Sequence, residues 1–160
     1  MIFVADAGPI ISFARADQLN LLRQVVDELW IPEAVYHELV TQGAGRPGAE
    51  ETSRGEWIKR KPITQHATLR TLPATLGEGE REALVLAQEL GAVLIADDPD
   101  ARDIAMRLEI PFLGSLGILR EAKLQGIIPE VKPHLDALRQ HGFRLRDTLY
   151  QTFLHEIGEA

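Results

Sequence analysis

Ala92-Val93-Leu94-Ile95-Ala96-Asp97-Asp98-Pro99 is the stretch on which the fold turns. Ala92–Ala96 is an apolar run that reads as a buried strand. Gly91, just before it, suits the end of the amphipathic helix Glu80–Leu90. Asp98 followed by Pro99 is a helix N-cap with a first-position proline. The helix it opens, Asp98–Leu108, carries Ala101, Ile104, Ala105 and Leu108 on one face. Helix, buried strand and helix thus follow one another, and two carboxylates stand where the strand gives way.

The same alternation extends in both directions. Ile2–Ala5 is a short apolar strand ended by Asp6-Ala7-Gly8-Pro9. Ile10–Ala16 and Leu19–Val26 read as two short helices, Glu28–Ile31 as a second strand, and Pro32 opens a helix over Glu33–Thr41. Gln42–Pro47 reads as a loop or lid, Trp57–Ile63 as a strand with a basic middle, and Pro73–Gly79 as another loop. Beyond the central stretch come a strand at Ile110–Leu113 and a helix at Leu116–Gln125 ended by Gly126. Lys132–His141 and Arg146–Ile157 are helical. Short apolar strands alternating with helices indicate an α/β domain whose parallel sheet is covered on both faces. Residues 129–160 read as a helical extension on that body.

The 160 residues fit one domain, and 45% apolar content supports a sizeable core. The absence of cysteine excludes disulfides, thiolate zinc sites and a cysteine nucleophile. The N-terminal stretch Met1–Asp6 does not read as a signal peptide, and no apolar run approaches the roughly 20 residues of a membrane helix. The expectation is a cytoplasmic protein that makes no use of membranes. The net charge of −7 argues against nucleic acid if taken alone. Carboxylates that hold a cation, however, enter that sum as bare negative charge. Basic residues also cluster locally, as in Lys59-Arg60-Lys61, Arg102 with Arg107, and Arg144 with Arg146.

Ligands of open α/β sheets bind beyond the carboxyl ends of the strands. Asp6, Asp97 and Asp98 all end strands there. On the helix from Glu80, Ala83, Leu84 and Ala87 lie at i+3, i+4 and i+7, so Glu80 sits on the buried stripe and Glu82 on the opposite face. Glu38 flanks Val35 and Leu39 at the border of its helix's packed face. Carboxylates facing a core are costly unless paired or bound to a cation. An all-oxygen set of this kind selects Mg²⁺ or Mn²⁺ over zinc. Each residue also has a plainer role: Asp6 and Asp98 as helix caps, Glu80 as a charge at a helix N-terminus, Glu38 as an ion-pair partner. Other signals fail. His37-Glu38-Leu39-Val40-Thr41 lacks the second histidine of a zinc-protease helix, and Gly77-Glu78-Gly79-Glu80 lacks the third glycine of a dinucleotide loop.

The residues taken together resemble the PIN-domain nucleases. The matching pieces are Val4-Ala5-Asp6, Pro32 with Glu38, Leu76-Gly77-Glu78-Gly79-Glu80-Arg81-Glu82-Ala83 and Ile95-Ala96-Asp97-Asp98. Ala101-Arg102, Leu113-Gly114-Ser115-Leu116-Gly117-Ile118-Leu119, Ala122-Lys123 and Gly126-Ile127-Ile128 are similar to the branch that includes VapC-type toxins. Gly8 and Ala96 stand where those toxins often carry a small hydroxyl residue and a threonine. The resemblance implies a three-layer α/β/α fold with about five parallel strands, Mg²⁺ or Mn²⁺ dependence and cleavage of RNA. It carries metal and catalytic roles onto Asp6, Glu38, Glu80 and Asp98, with Asp97 as neighbour or substitute. Arg102, Lys59, Arg60 and Lys61 are candidates for substrate phosphates. A toxin of this type implies a cognate antitoxin. Leu135, Leu138, Leu149, Phe153 and Leu154 in the last helices lead us to expect a homodimer. The alternatives are a Mg²⁺-dependent phosphatase or phospho-acceptor domain, which usually needs a lysine at a later strand end, and a catalytically inactive PIN-like binding module.

Overall fold

Strands of two or three residues carry the sheet: β1 (Phe3–Ala5), β2 (Leu29–Ile31), β3 (Ile58–Arg60), β4 (Val93–Ile95) and β5 (Phe112–Leu113). In the computed structural model, which describes residues 1–160, they lie in the order β3-β2-β1-β4-β5 with every pair parallel. The five-stranded α/β architecture expected from the sequence is therefore present. The strand order runs outward in opposite directions from the β1–β4 pair, which makes the carboxyl ends of those two strands the topological switch point. Their register sets Ala5 beside Ile95, and the Asp6 N–H donates to the Ile95 carbonyl at 3.3 Å. The residues that follow β1 and β4 thus emerge at one level.

Side chains alternate across the sheet even though both faces are buried. Phe3 and Ala5 of β1, Leu29 and Ile31 of β2 and Ile95 of β4 enter the larger core. It is completed by α1 (Ala7–Arg15), α2 (Leu19–Val26), α3 (Glu33–Tyr36), α8 (Ser115–Leu124), α9 (Lys132–Gln140) and α10 (Asp147–Glu156). Val4, Leu94 and Ala96 face the smaller core, formed with α6 (Glu78–Leu90) and α7 (Pro99–Arg107). Two short helices, α4 (Ala49–Arg54) and α5 (His66–Thr71), lie in stretches that were not expected to be helical.

Two expectations need correction. The helix Glu33–Thr41 is not uniform: after α3 the backbone widens into a π-helical segment, His37–Gln42, which carries Glu38. Residues 129–160 are not an appendage either. Leu135, Leu138, Phe153 and Leu154 are all buried in the larger core, and each such side chain contributes roughly 1.5–3 kcal/mol on burial. The C-terminal strap is fixed as well, since Glu159 accepts from the Val131 and Lys132 N–H groups and from Lys123 Nζ, each at 2.8 Å. Of the apolar residues that suggested a homodimer, only Leu149 is left exposed, at 46%.

Candidate active site

Three carboxylates cap three helices at one edge of the sheet. Asp6 follows β1, and its Oδ1 accepts from the Gly8 N–H at 3.2 Å, capping α1. Asp98 is the third residue after β4, and its Oδ1 accepts from the Asp100 N–H at 2.8 Å, capping α7. Glu80 lies in the first turn of α6, where its Oε1 reaches back to the Gly77 N–H at 3.1 Å. Each thereby satisfies one of the N–H groups that a helix start leaves without a partner. Capping engages one oxygen of each carboxylate, so capping and a site role are compatible. The remaining Glu80 oxygen, Oε2, is buried and has no hydrogen-bond partner.

The electrostatics follow from this crowding. Asp6 is buried, at 6% exposure. Burial, then the charges of Glu80 and Asp97, raise its pKa well above the usual carboxylate range; the Gly8 N–H opposes this and Glu38 adds a little more. Glu80 is raised first by burial, and then by the Asp98 carboxyl within hydrogen-bonding reach, with the charges of Asp98 and Glu38 adding to it and the Gly77 N–H opposing. Burial also raises Glu38. Two facing carboxyl groups without a donor between them must share a proton or bind a cation.

Glu38 reaches the cluster because Gly79 lets α6 approach α3 closely. A Cβ at position 79 would meet Val35 Cγ2 at 3.2 Å and Glu38 Oε1 at 3.3 Å. Glu82 departs from the sequence reading. It does not point away from this region but turns to α3, where its Oε1 accepts from the Ala34 N–H at 3.1 Å. It therefore fixes the start of the helix that leads to Glu38.

Asp97 is held differently from the other acids. Its Oδ1 accepts from the Ser115 N–H at 2.7 Å and its Oδ2 from Ser115 Oγ at 2.6 Å. Both oxygens thus tie the end of β4 to the start of α8. Ser115 is fully buried, and sequence reasoning missed it; a serine opening a helix just after a strand was the available signal. A Cβ at position 114 would come to 3.0 Å from Asp97 Oδ1, so glycine there leaves room for the carboxylate.

The basic candidates divide. Lys59 pairs with Glu28 at 3.1 Å and Arg60 with Glu33 at 3.7 Å, while Lys61 lies over the Trp30 ring. All three belong to the edge strand β3 or the residue after it, two strands away from β1. Arg102 of α7 stacks over Phe112 at 5.0 Å and lines a groove of about 1390 Å³ together with Asp97 and Asp98. Arg120, Arg139, Arg144 and Arg146 line the same groove. Asp6, Glu38, Glu80, Asp97 and Asp98 are coupled through their charges, yet no three acidic or imidazole side chains close around one point as a complete ligand set.

Fold and site together define a class: an α/β domain with an acidic centre at the switch point of a parallel sheet. The chain belongs to the DUF3368 family, a PIN domain, which it matches over residues 2–159. Its fold is similar to that of a PilT N-terminus domain protein from the hyperthermophilic archaeon Sulfolobus solfataricus P2, with a TM-score of 0.54 and 16% identity over 91% of this chain and 100% of that one. No curated protein matches the sequence. PIN domains are in general nucleases that use divalent metal ions, and the chain takes its broad functional class from that family.

Proposed function

We propose that the chain is a Mg²⁺- or Mn²⁺-dependent endoribonuclease, acting as the toxin of a toxin–antitoxin pair. The observation that carries the catalytic part is Glu80 Oε2, buried without a donor and set against Asp98 beside the buried Asp6. The donor set is all oxygen, which fits a hard divalent cation. Asp6, Glu80 and Asp98 would hold it through the oxygens not used in capping, with Glu38 binding directly or through water and Asp97 alongside. Mg²⁺ usually keeps several waters in its shell, which fits a cluster that does not close around one point. When bound, the ion lowers the pKa of a water and offsets charge on the phosphate. The chain's own groups do the rest. Asp6 forms a floor shielded from solvent, and Ser115 holds Asp97 and the end of β4 in place. Arg102 faces the groove as a phosphate contact.

The toxin part rests on the similarity to that branch and on the surplus of unneutralised acid. A partner peptide that placed Arg or Lys among these carboxylates would displace the metal. The test of catalysis sets cleavage of a fluorescent RNA in Mn²⁺, Mg²⁺ or EDTA beside phosphate release from a small phosphomonoester. Metal-dependent cleavage without phosphate release supports the reading. Phosphate release alone would make the chain a phosphatase, and neither activity would make it a binding module. For the toxin part, induced expression should arrest growth; harmless expression of active enzyme would remove that assignment and leave the nuclease.

A further inference from the structure

The groove beside Asp97 and Asp98 has a character opposite to that of the whole chain. The protein carries a net charge of −7, yet arginines outnumber carboxylates along this groove: Arg102, Arg120, Arg139, Arg144 and Arg146 against Asp97, Asp98 and Glu156. Two of these arginines are already occupied, Arg120 by Glu156 at 3.5 Å and Arg139 by Asp147 at 2.7 Å. Arg102, Arg144 and Arg146 form no ion pair. Arg102 stands on α7, close to the acids; Arg144 and Arg146 stand on the connection between α9 and α10. The same groove is lined by the flat or apolar side chains of Phe112, Phe143 and Leu149, and by Gly8, Gly114 and Gly117. At about 1390 Å³ the groove exceeds the roughly 300–1,000 Å³ that suits a single small molecule. Free guanidinium groups and apolar surfaces in one groove match a ligand that alternates phosphates with exposed flat bases.

We propose that this groove carries the single-stranded RNA flanking the scissile phosphate. Arg102 binds the phosphate next to the carboxylates, and Arg144 and Arg146 bind phosphates further along the strand. The proposal rests on the nuclease reading above and extends it to the path of the substrate. It also assigns a binding role to the C-terminal part of the chain.

The test is anisotropy of a fluorescein-labelled single-stranded RNA of about twelve nucleotides, a length chosen to exceed a typical single-fold site, in EDTA so that no strand is cut. The double variant Arg144→Glu/Arg146→Glu should raise Kd at least about tenfold. Its slope of log K against log salt should fall by about 1.4, at roughly 0.7 per phosphate contact on a single strand. Arg144→Lys/Arg146→Lys keeps the charge and should bind within about threefold of wild type, which separates lost charge from lost folding. Arg54→Glu, outside the groove and paired with Glu50, should bind as wild type does. A glutamate double variant with an unchanged melting temperature and a Kd within about twofold of wild type would overturn the proposal. So would a wild-type protein that binds no RNA, which would leave the groove to a protein partner. The two readings fail separately. If Asp98→Asn abolishes cleavage while the arginine variants bind and cut normally, the nuclease stands and the groove assignment falls. If no form cleaves RNA but the arginine variants lose binding, the groove stands and the catalytic reading falls.

Discussion

Glu80 and Asp98 hold their carboxyl groups within hydrogen-bonding reach of each other, from the first turn of α6 and the cap of α7, with no donor to separate them. Asparagine caps a helix about as well as aspartate, so Asp98→Asn should keep the fold. Cleavage should fall by at least about a hundredfold, the upper range for disturbed metal sites. In EDTA the variant should melt above wild type, because a repelling charge is gone and an amide donor faces Glu80. Wild type should gain more thermal stability from added Mn²⁺ than the variant does. Wild-type cleavage by Asp98→Asn would reduce Asp98 to a cap.

The raised pKa values give a pH dependence with a definite sign. Asp6, Glu80 and Glu38 hold protons in the folded chain that the unfolded chain releases. Without metal, stability is therefore favoured at low pH and lost as pH rises from the ordinary carboxylate range through the raised values. A cation competes for the same oxygens, so metal-dependent cleavage should rise across that window. Melting temperatures in EDTA at about pH 5.5 and about pH 7.5 should differ less for Asp6→Asn than for wild type. Equal differences would show that Asp6 does not titrate there.

Ser115 and Asp97 should behave as one unit. Ser115→Ala removes the hydroxyl bond to Asp97 Oδ2 and should cost about 1–3 kcal/mol, since the bond is to a charged, partly buried acceptor. Asp97→Asn leaves one amide nitrogen where two oxygens accepted. Urea unfolding of the single and double variants should show a coupling of at least about 0.5 kcal/mol. Strict additivity would mean that the bond carries nothing.

Gly79 sets the distance between α6 and α3. Alanine usually favours a helix over glycine by about 1 kcal/mol, but here its Cβ meets Val35 and Glu38. Gly79→Ala should lose the benefit of helix propensity and lower cleavage by about tenfold through a displaced Glu38. Glu82→Ala strips the Ala34 N–H of its acceptor and should cost about 1 kcal/mol, whereas Glu82→Gln keeps an oxygen there and should cost less. Chemical denaturation and single-turnover cleavage together check both. A stabilised, fully active Gly79→Ala would show that the helices have slack.

The sheet was legible because each strand is a short apolar run between helices with a marked stripe, as at Ala92–Ala96 and Glu80–Leu90. α5 escaped notice for the converse reason: it has no fully buried residue, so no periodicity betrays it. That Asp6, Glu80 and Asp98 lie near one another could be anticipated because strand ends and helix phase are local properties. The Glu82 contact with Ala34, the Asp97 bonds to Ser115 and the gathering of Arg144 and Arg146 with Arg102 span long stretches of chain, and no local pattern encodes them. The π-helical turn that carries Glu38 likewise has no counterpart in the 3.6-residue periodicity from which the helix was read. Neither Gly8 nor Ala96 supplies a hydroxyl; the one that meets an acid here is that of Ser115, on Asp97, a pairing that only tertiary structure makes.

Leu154, in the last helix of the fold, is buried in the same core as Phe3 of the first strand. During synthesis the chain therefore has β1, β4 and every carboxylate of the site outside the ribosome before it has the residues that close the larger core. Arg144 and Arg146 also emerge late. A nascent chain thus passes through a stage in which the acidic centre exists on an open sheet, without its far groove wall.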